Sequence, residues 1–353
     1  MKYSIIVPVY NRPDEVDELL QSLTEQELKD FEVVIVEDGS QKPCKDVCDK
    51  FADILDLHYY VKENGGPGQA RNYGAERAHG EWLIILDSDV VLPKGYLKAV
   101  EDGLRGERRE ERGEFAAFGG PDASHPSFTP VQKAISYSMT SFFTTGGIRG
   151  GKKKLDKFYP RSFNMGIRSD VYQQLGGFSK MRFGEDIDFS YRIVEAGYNP
   201  QLIPDAWVWH KRRTDFRKFF RQVYNSGIAR INLEKRHPGT LKLVHLLPMV
   251  FTVGVIALIL IAAVARAMIH YDAPNWHTWY WICLLALSPI LFYSLIIFID
   301  SSIKNKSMKV GLLSVPAAFV QLMGYGFGFI ESWWKRCVIK KDEFQAFEKN
   351  FYK

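Results

Sequence analysis

The chain has 353 residues, of which 46% are hydrophobic, 14% aromatic and 25% charged, a globular composition that excludes a disordered chain. At roughly 150 residues per domain this length allows two or three units. The net charge of +5, from 46 basic and 41 acidic residues, is too balanced for a dedicated nucleic-acid binder, so no nucleic-acid partner is expected.

The first third alternates short apolar runs with amphipathic segments, the βαβ pattern of a mostly parallel, doubly wound α/β sheet. Strands are predicted at 3–9, 31–37, 57–62 and 82–86, and helices at 13–27, 43–55 and 68–79. The first helix carries Val16, Leu19, Leu20 and Leu23 at three- and four-residue spacing. The opening apolar run, Ser4 to Tyr10, is too short for a signal-peptide core, so the N-terminal domain is expected to stay on the side where it is made. Cys44 and Cys48 have no second pair to complete a zinc site, and with Cys283 and Cys337 they form no disulfide framework, so reduced thiols are expected. Residues 105–114 are a charge run that reads as a solvated helix end or loop. Gly146 to Lys154 is Gly-rich and basic and suits a plain surface loop or a closing loop equally. Helices near 169–175 and 185–196, around a Gly176-Gly177 break, complete a soluble domain over 1–215.

Between Lys211 and Lys242 ten Lys or Arg face two acids, directly before the first long apolar run. That marks a basic interfacial segment over 216–242 and a cytoplasmic membrane flank. A membrane domain over 243–334 follows, then a basic tail over 335–353. Residues 243–265 and 279–299 hold 23 and 21 residues without a formal charge, long enough to cross about 30 Å of hydrocarbon. Trp276, Trp279, Tyr280 and Trp281 fit an interfacial aromatic belt. A third run, 311–330, contains Pro316, Gln321 and glycines at 324, 326 and 328, and is expected to span or re-enter. A full crossing would send Lys335, Arg336, Lys340 and Lys341 outside, against the positive-inside rule. A re-entrant or interface-lying segment, broken at the proline and glycines, keeps them inside.

The chemistry-bearing residues gather at predicted strand ends, where open α/β sheets place ligands. Asp87-Ser88-Asp89 follows the strand 82–86, and two carboxylates there can hold Mg²⁺ or Mn²⁺ while leaving positions for diphosphate oxygens. Glu37-Asp38-Gly39-Ser40 ends the second strand and Pro8 to Asn11 the first, so three ends converge on one crevice suited to a nucleotide. Asn64-Gly65-Gly66-Pro67-Gly68 precedes a helix whose backbone N–H groups are expected to face a phosphate, and Arg71 would add a fork-shaped donor. Gly184-Glu185-Asp186 opens a helix and offers a base for an attacking hydroxyl. His210 suits a core histidine or a metal ligand.

In order, SIIVPVYNR, VVIVEDGS, NGGPGQARN, WLIILDSD, FNMGIRSDVYQQLGGF, GEDIDFSYRI and WVWH resemble the family 2 glycosyltransferases of the GT-A fold, over roughly residues 2–215. The resemblance implies a GT-A nucleotide-diphospho-sugar transferase fold followed by a small α-helical membrane domain. It implies inverting, Mg²⁺- or Mn²⁺-dependent transfer of a sugar from a nucleotide diphosphate-sugar, with a lean to UDP. By position Pro8, Tyr10, Asp38, Asn64, Arg71 and Ser88 would hold the nucleotide-sugar. Asp87 would face ribose or metal, with Asp89 and His210 as further metal ligands. Asp186 matches the base, Glu185 would contact the acceptor beside it, and Asn164 is a further acceptor candidate. Processive members carry Gln-x-x-Arg-Trp, whereas Gln222 here is followed by VYNSG, so addition of a single sugar is expected. The expected acceptor is a polyprenyl-linked saccharide or another glycan at the inner membrane of a bacterium, with the catalytic domain cytoplasmic, for surface-polysaccharide or glycolipid assembly. The alternatives are a polyprenyl-phosphate sugar synthase and a nucleotidyltransferase.

Overall fold

The structure, a computed structural model, describes residues 1–106, 114–125, 127–145, 158–271 and 274–347. Most of the charge run at 105–114 and all of the Gly-rich stretch at 146–154 lie outside these residues. In chain order the elements are β1 (Tyr3–Val9), α1 (Pro13–Thr24), β2 (Phe31–Asp38), α2 (Lys45–Asp49), β3 (Leu57–Lys62), α3 (Pro67–Ala75), β4 (Trp82–Leu86), β5 (Val90–Val91), α4 (Tyr96–Gly106), β6 (Ala117–Gly119) and β7 (Asp122–Ala123). There follow α5 (Pro130–Thr140), α6 (Phe142–Thr145), β8 (Asn164–Arg168), α7 (Ser169–Gln174), α8 (Glu185–Glu195), β9 (Gln201–Leu202) and β10 (Val208–His210). The chain ends in α9 (Phe216–Arg236), α10 (Leu247–His270), α11 (Trp276–Asn305) and α12 (Met308–Trp333).

These elements form two compact units. The first comprises the described residues of 1–126 and 152–211, the second those of 127–151 and 212–348. Residues 127–145, within the single soluble domain expected from sequence, therefore group with the helical unit, and α2 is one short turn rather than a helix over 43–55.

In the first unit a seven-stranded sheet runs in the order β3-β2-β1-β4-β8-β6-β9, parallel from β3 to β4 and antiparallel on both sides of β8. Both faces are covered, which is why the strands read as unbroken apolar runs. Ile5, Val7, Val33, Ile35 and Ile84 pack on one face with α1; Ile6, Val34, Val36, Leu83 and Ile85 pack on the other with Ala70 of α3 and Phe189 of α8. A second, three-stranded sheet, β5-β10-β7, lies beyond the end of β4 and pairs His210 with Val90.

In the second unit three helices are long and apolar enough to cross a membrane: Leu243–His270, Trp276–Asn305 and Met308–Val338. The expected break in the third does not occur. α12 runs unbroken through Pro316 and the late glycines, because those glycines are contact points rather than breakers. A Cβ at Gly324 would meet Val223, one at Gly326 Pro248 and Thr252, and one at Gly328 the Tyr224 carbonyl. Gly227 of α9 faces the Tyr325 carbonyl in return. Such small-residue contacts let backbones approach where lipid supplies no hydrophobic drive between helices.

Gly328→Ala should accordingly cost roughly 1–3 kcal/mol through overpacking, read as a lowered thermal midpoint in detergent. Gly254→Ala, in α10 with nothing within 4 Å, should leave that midpoint unchanged. Equal shifts in the two variants would mean that the α9–α12 contact does not limit stability.

Candidate active site

All the candidate site residues read from sequence belong to the first unit: at the ends of β1, β2 and β4, at the turn into α3 and on α3 itself, at the start of β8 and of α8, and at the end of β10. At β4 the apolar run stops and Asp87, Ser88 and Asp89 turn toward β5. The β5–β10 pairing then brings His210 alongside, its Nε2 3.3 Å from Asp89 Oδ1 and its Nδ1 3.8 Å from Asp122. The Phe163 ring stacks on the imidazole, with centroids 4.9 Å apart, and fixes its plane. Ligand-capable atoms of Asp87, Asp89 and His210 all lie within 4.8 Å of one another. Two carboxylate oxygens and an imidazole nitrogen at that spacing fit a divalent ion of the Mg²⁺ or Mn²⁺ kind, so the donor set suits the metal that the resemblance implies. Arg12 Nη1 pairs with the outer oxygen of Asp89.

The base-side residues sit on α8, where Gly184 takes a left-handed conformation (φ 87°) as N-cap and directs Glu185 and Asp186 into the first turn. Both carboxylates are buried, and each has its own arginine. Asp186 accepts from Arg161 Nε at 2.6 Å and from the Ile187 amide at 2.9 Å. Burial alone would raise its pKa, but the Arg161 charge and hydrogen bond outweigh this and hold it below the usual range. Glu185 is pushed up to about 7, first by burial and then by the charge of Asp186, against the opposing pull of Arg71. Adjacent carboxylates thus differ in protonation near neutral pH, with Asp186 the ionised one and able to take a proton.

Arg71 joins the two sides. Its Nη1 donates to Glu185 and its Nη2 to Asp87, each at 2.8 Å, and the guanidinium lies over the Phe178 ring at 5.1 Å. It is 3% exposed, so the fork expected to reach toward a nucleotide is committed to two carboxylates instead.

On the β2 side, Asp38 accepts from the Gly65 and Gly66 amides at 2.9 and 2.8 Å and from Lys62 Nζ at 2.8 Å. Those two amides were expected to face a phosphate; they are directed at Asp38 because a buried carboxylate requires donors. Asn64 donates to the Asp38 carbonyl and closes the turn. Pro8 and Tyr10 end β1 beside it, half-buried, and Ser88 is buried. Asn164, the further acceptor candidate, lies inside the first unit. It is 1% exposed, accepts from the Tyr96 hydroxyl of α4 at 2.6 Å and donates to the Ala206 carbonyl, in the loop before β10, at 2.8 Å, so its amide is engaged in holding β8 to α4 and that loop. Arg12, Lys62, Asp122 and Arg161 were not anticipated. Arg12 follows directly on the β1 end, but the pairing of Arg161, 25 residues before Asp186, leaves no local signal.

Two family models match: glycosyl transferase family 2 over residues 4–109 and glycosyl transferase family group 2 over residues 82–297. The chain belongs to the family 2 glycosyltransferases. The chain is 39% identical over 102 residues to the poly(ribitol-phosphate) beta-N-acetylglucosaminyltransferase TarS of Staphylococcus aureus, a stretch of 28% of this chain and only 18% of that protein's length. It is 26% identical over 240 residues to the glycosyltransferase AglE of Haloferax volcanii, covering 65% of this chain and 73% of that one. Among solved structures, the mannosyltransferase PcManGT of Pyrobaculum calidifontis shares the fold, with a TM-score of 0.55 at 16% identity over 95% of this chain and 88% of that one. The first unit has the GT-A fold, and a helical region with, among the described residues, three apolar helices follows it.

Replacing Arg161 by Met removes the charge that lowers the Asp186 pKa, so the carboxylate will hold its proton to higher pH. The acid limb of the pH–rate profile should move upward, while Arg161→Lys should retain most of the original position. An unmoved limb in Arg161→Met would show that Arg161 does not set the charge state on which transfer depends.

Proposed function

We propose that this glycosyltransferase moves one sugar from a nucleotide diphosphate-sugar, with UDP favoured as the nucleotide, to a membrane-associated acceptor, with inversion and with a divalent metal. The reading is carried by the Asp87, Asp89 and His210 cluster, linked through Arg71 to the carboxylate pair Glu185 and Asp186. A bound Mg²⁺ or Mn²⁺ would offset the charge of the departing diphosphate. Asp186 removes the proton from the acceptor hydroxyl as that oxygen bonds to the sugar's anomeric carbon. The bond from that carbon to the diphosphate breaks on the opposite face, and nucleoside diphosphate leaves. Pro8, Tyr10, Asp38, Asn64 and Ser88 form the nucleotide side, and Glu185 contacts the acceptor beside the base. The PcManGT structure holds GDP-Man and Mn²⁺, which supports a nucleotide-sugar donor and a metal of this class.

The acceptor is a polyprenyl-linked saccharide, and the first unit faces the cytoplasm at the inner membrane. In this reading α10 and α11 cross the bilayer and α12 lies along its cytoplasmic boundary. α12 meets α10 near its start, at Pro248, Phe251 and Thr252, and α11 toward its end, at Tyr293, Phe298 and Ser302. Those are the same side of a two-helix hairpin, so Lys335, Arg336, Lys340 and Lys341 stay with the basic flank. A cysteine at Lys341, in cells, should resist a membrane-impermeant thiol reagent; efficient labelling would mean three crossings.

Asp186→Asn should lower transfer by about two to four orders of magnitude while leaving donor binding near normal, because a base acts chiefly in the transition state. Asp89→Ala, or a chelator, should abolish donor binding that depends on metal. Donors are screened by the nucleotide they release. Nucleoside diphosphate supports transfer of sugar, whereas pyrophosphate would mean nucleotidyl transfer, and chelator-resistant activity would remove the metal.

A further inference from the structure

The segment α5–α6 lies in the chain between β7 and β8 of the first unit, yet belongs to the second. α5 opens at the Thr129 N-cap, with a capping box to Gln132, and Gln132 donates to the Arg212 carbonyl next to the basic α9. From that polar end it advances along α12. Ala134 clusters with Val310 and Ala317, Tyr137 with Ile297 and Ala318, and Ile135 and Met139 with Val223 and Val320.

Two hydrogen bonds to α11 give the depth. The Tyr137 hydroxyl donates to Asp300 at 2.6 Å, the first charged residue after the apolar run 279–299. Six residues later, the Phe143 carbonyl accepts from the Tyr293 hydroxyl at 3.2 Å. Tyr293 precedes Asp300 by seven residues, about 10 Å of helix at 1.5 Å per residue. Helical side chains lean toward the N-terminus, so the Tyr293 hydroxyl leans away from the charged end.

The composition of the segment matches that depth. From Ala134 to Thr145 it has no charged residue. Its hydroxyls donate to carbonyls of their own turns: Ser138 to Ile135, Thr140 to Ser136, Thr144 to Ser138 and Ser141, and Thr145 to Ser141. That is how polar groups are satisfied in a medium without water. In α6, Phe142 is 70% exposed and Phe143 42%, two large apolar side chains in edge-to-face contact with most of their surface uncovered by the described residues.

We infer that α5–α6 is a re-entrant element that enters the bilayer beside α11 and places Phe142 and Phe143 among phospholipid acyl chains. The inference rests on the reading of α11 as a crossing helix. Hydrocarbon continuous with that around Leu295, an exposed residue of α11 two positions from Tyr293, covers the two rings. The catalytic sheet would then be tied to the membrane through a segment inserted between two of its own strands, as well as through the helices that follow it.

The test uses the full chain in phosphatidylcholine–phosphatidylglycerol nanodiscs, with Cys283 and Cys337, the two cysteines that are not buried, replaced. Spin labels are placed singly at Phe142→Cys and Phe143→Cys, with Leu295→Cys as the hydrocarbon reference and Asp46→Cys, exposed in α2, as the aqueous one. Labels at 142 and 143 should collide more often with dissolved oxygen than with a water-soluble nickel chelate, as the label at 295 does. Preference for the nickel chelate at 142 and 143, with 295 still preferring oxygen, overturns the re-entrant element alone. Preference for the chelate at 295 as well overturns the crossing of α11, and the inference with it.

Discussion

A buried guanidinium holds the candidate active site together. Arg71 is 3% exposed, a location costly for a lone cation, and its two terminal nitrogens are each matched by a carboxylate at 2.8 Å. Those carboxylates come from different parts of the sheet architecture: Asp87 from the end of β4 and Glu185 from the first turn of α8. One side chain thereby links the Asp87, Asp89 and His210 cluster to the carboxylate pair on α8, the two sides to which the proposed function assigns the metal and the base. Without it, Asp87, Glu185 and Asp186 would meet as like charges in a poorly solvated crevice. The remaining arginines divide the work, with Arg12 on Asp89 and Arg161 on Asp186. Arg161 keeps Asp186 ionised, while burial and then the charge of Asp186 push Glu185 up to about 7, so two adjacent carboxylates differ in their hold on a proton.

The second unit solves a different problem. Its apolar helices lose the hydrophobic effect as a reason to associate once lipid surrounds them, so contact depends on close approach and internally satisfied polar groups. Gly324, Gly326 and Gly328 provide the approach on α12. The hydroxyls of α5–α6, with Tyr137 on Asp300, provide the polar satisfaction. A short proline-opened helix with one lysine and many hydroxyls looks unremarkable in sequence, but next to α11 it has the properties of a segment made for hydrocarbon.

Features carried by local pattern were legible before the fold was known. The parallel strands announce themselves as apolar runs because both faces of the sheet are buried, and Asp38, Asp87 and Asp89 stand out because a carboxylate directly after such a run is at the sheet's ligand edge. Features carried by long-range pairing were not. Arg71 could be picked out on its helix, but its partners lie 16 and 114 residues away, so its commitment to them was invisible. Arg161 gave no signal for the same reason. Asn164 was picked out by a stretch that resembles a motif, and the engagement of its amide by Tyr96 and Ala206 across the fold could not be read there. Pro316 and the α12 glycines read as breakers because local propensity disfavours them in helices, and packing against α9 and α10 overrides that propensity.

The measurement that bears most directly on Arg71 as the tie between the two sides of the site is steady-state transfer by Arg71→Lys, with circular dichroism to verify the fold. Lysine keeps the charge but cannot span two carboxylates with a rigid fork. A folded variant should lose roughly tenfold or more in kcat/KM, the equivalent of one charge-assisted hydrogen bond, and its pH–rate profile should shift as Glu185 loses its partner. A folded Arg71→Lys protein with wild-type kcat/KM and an unchanged profile would contradict the arrangement, since the two sides would then be held by something other than this fork.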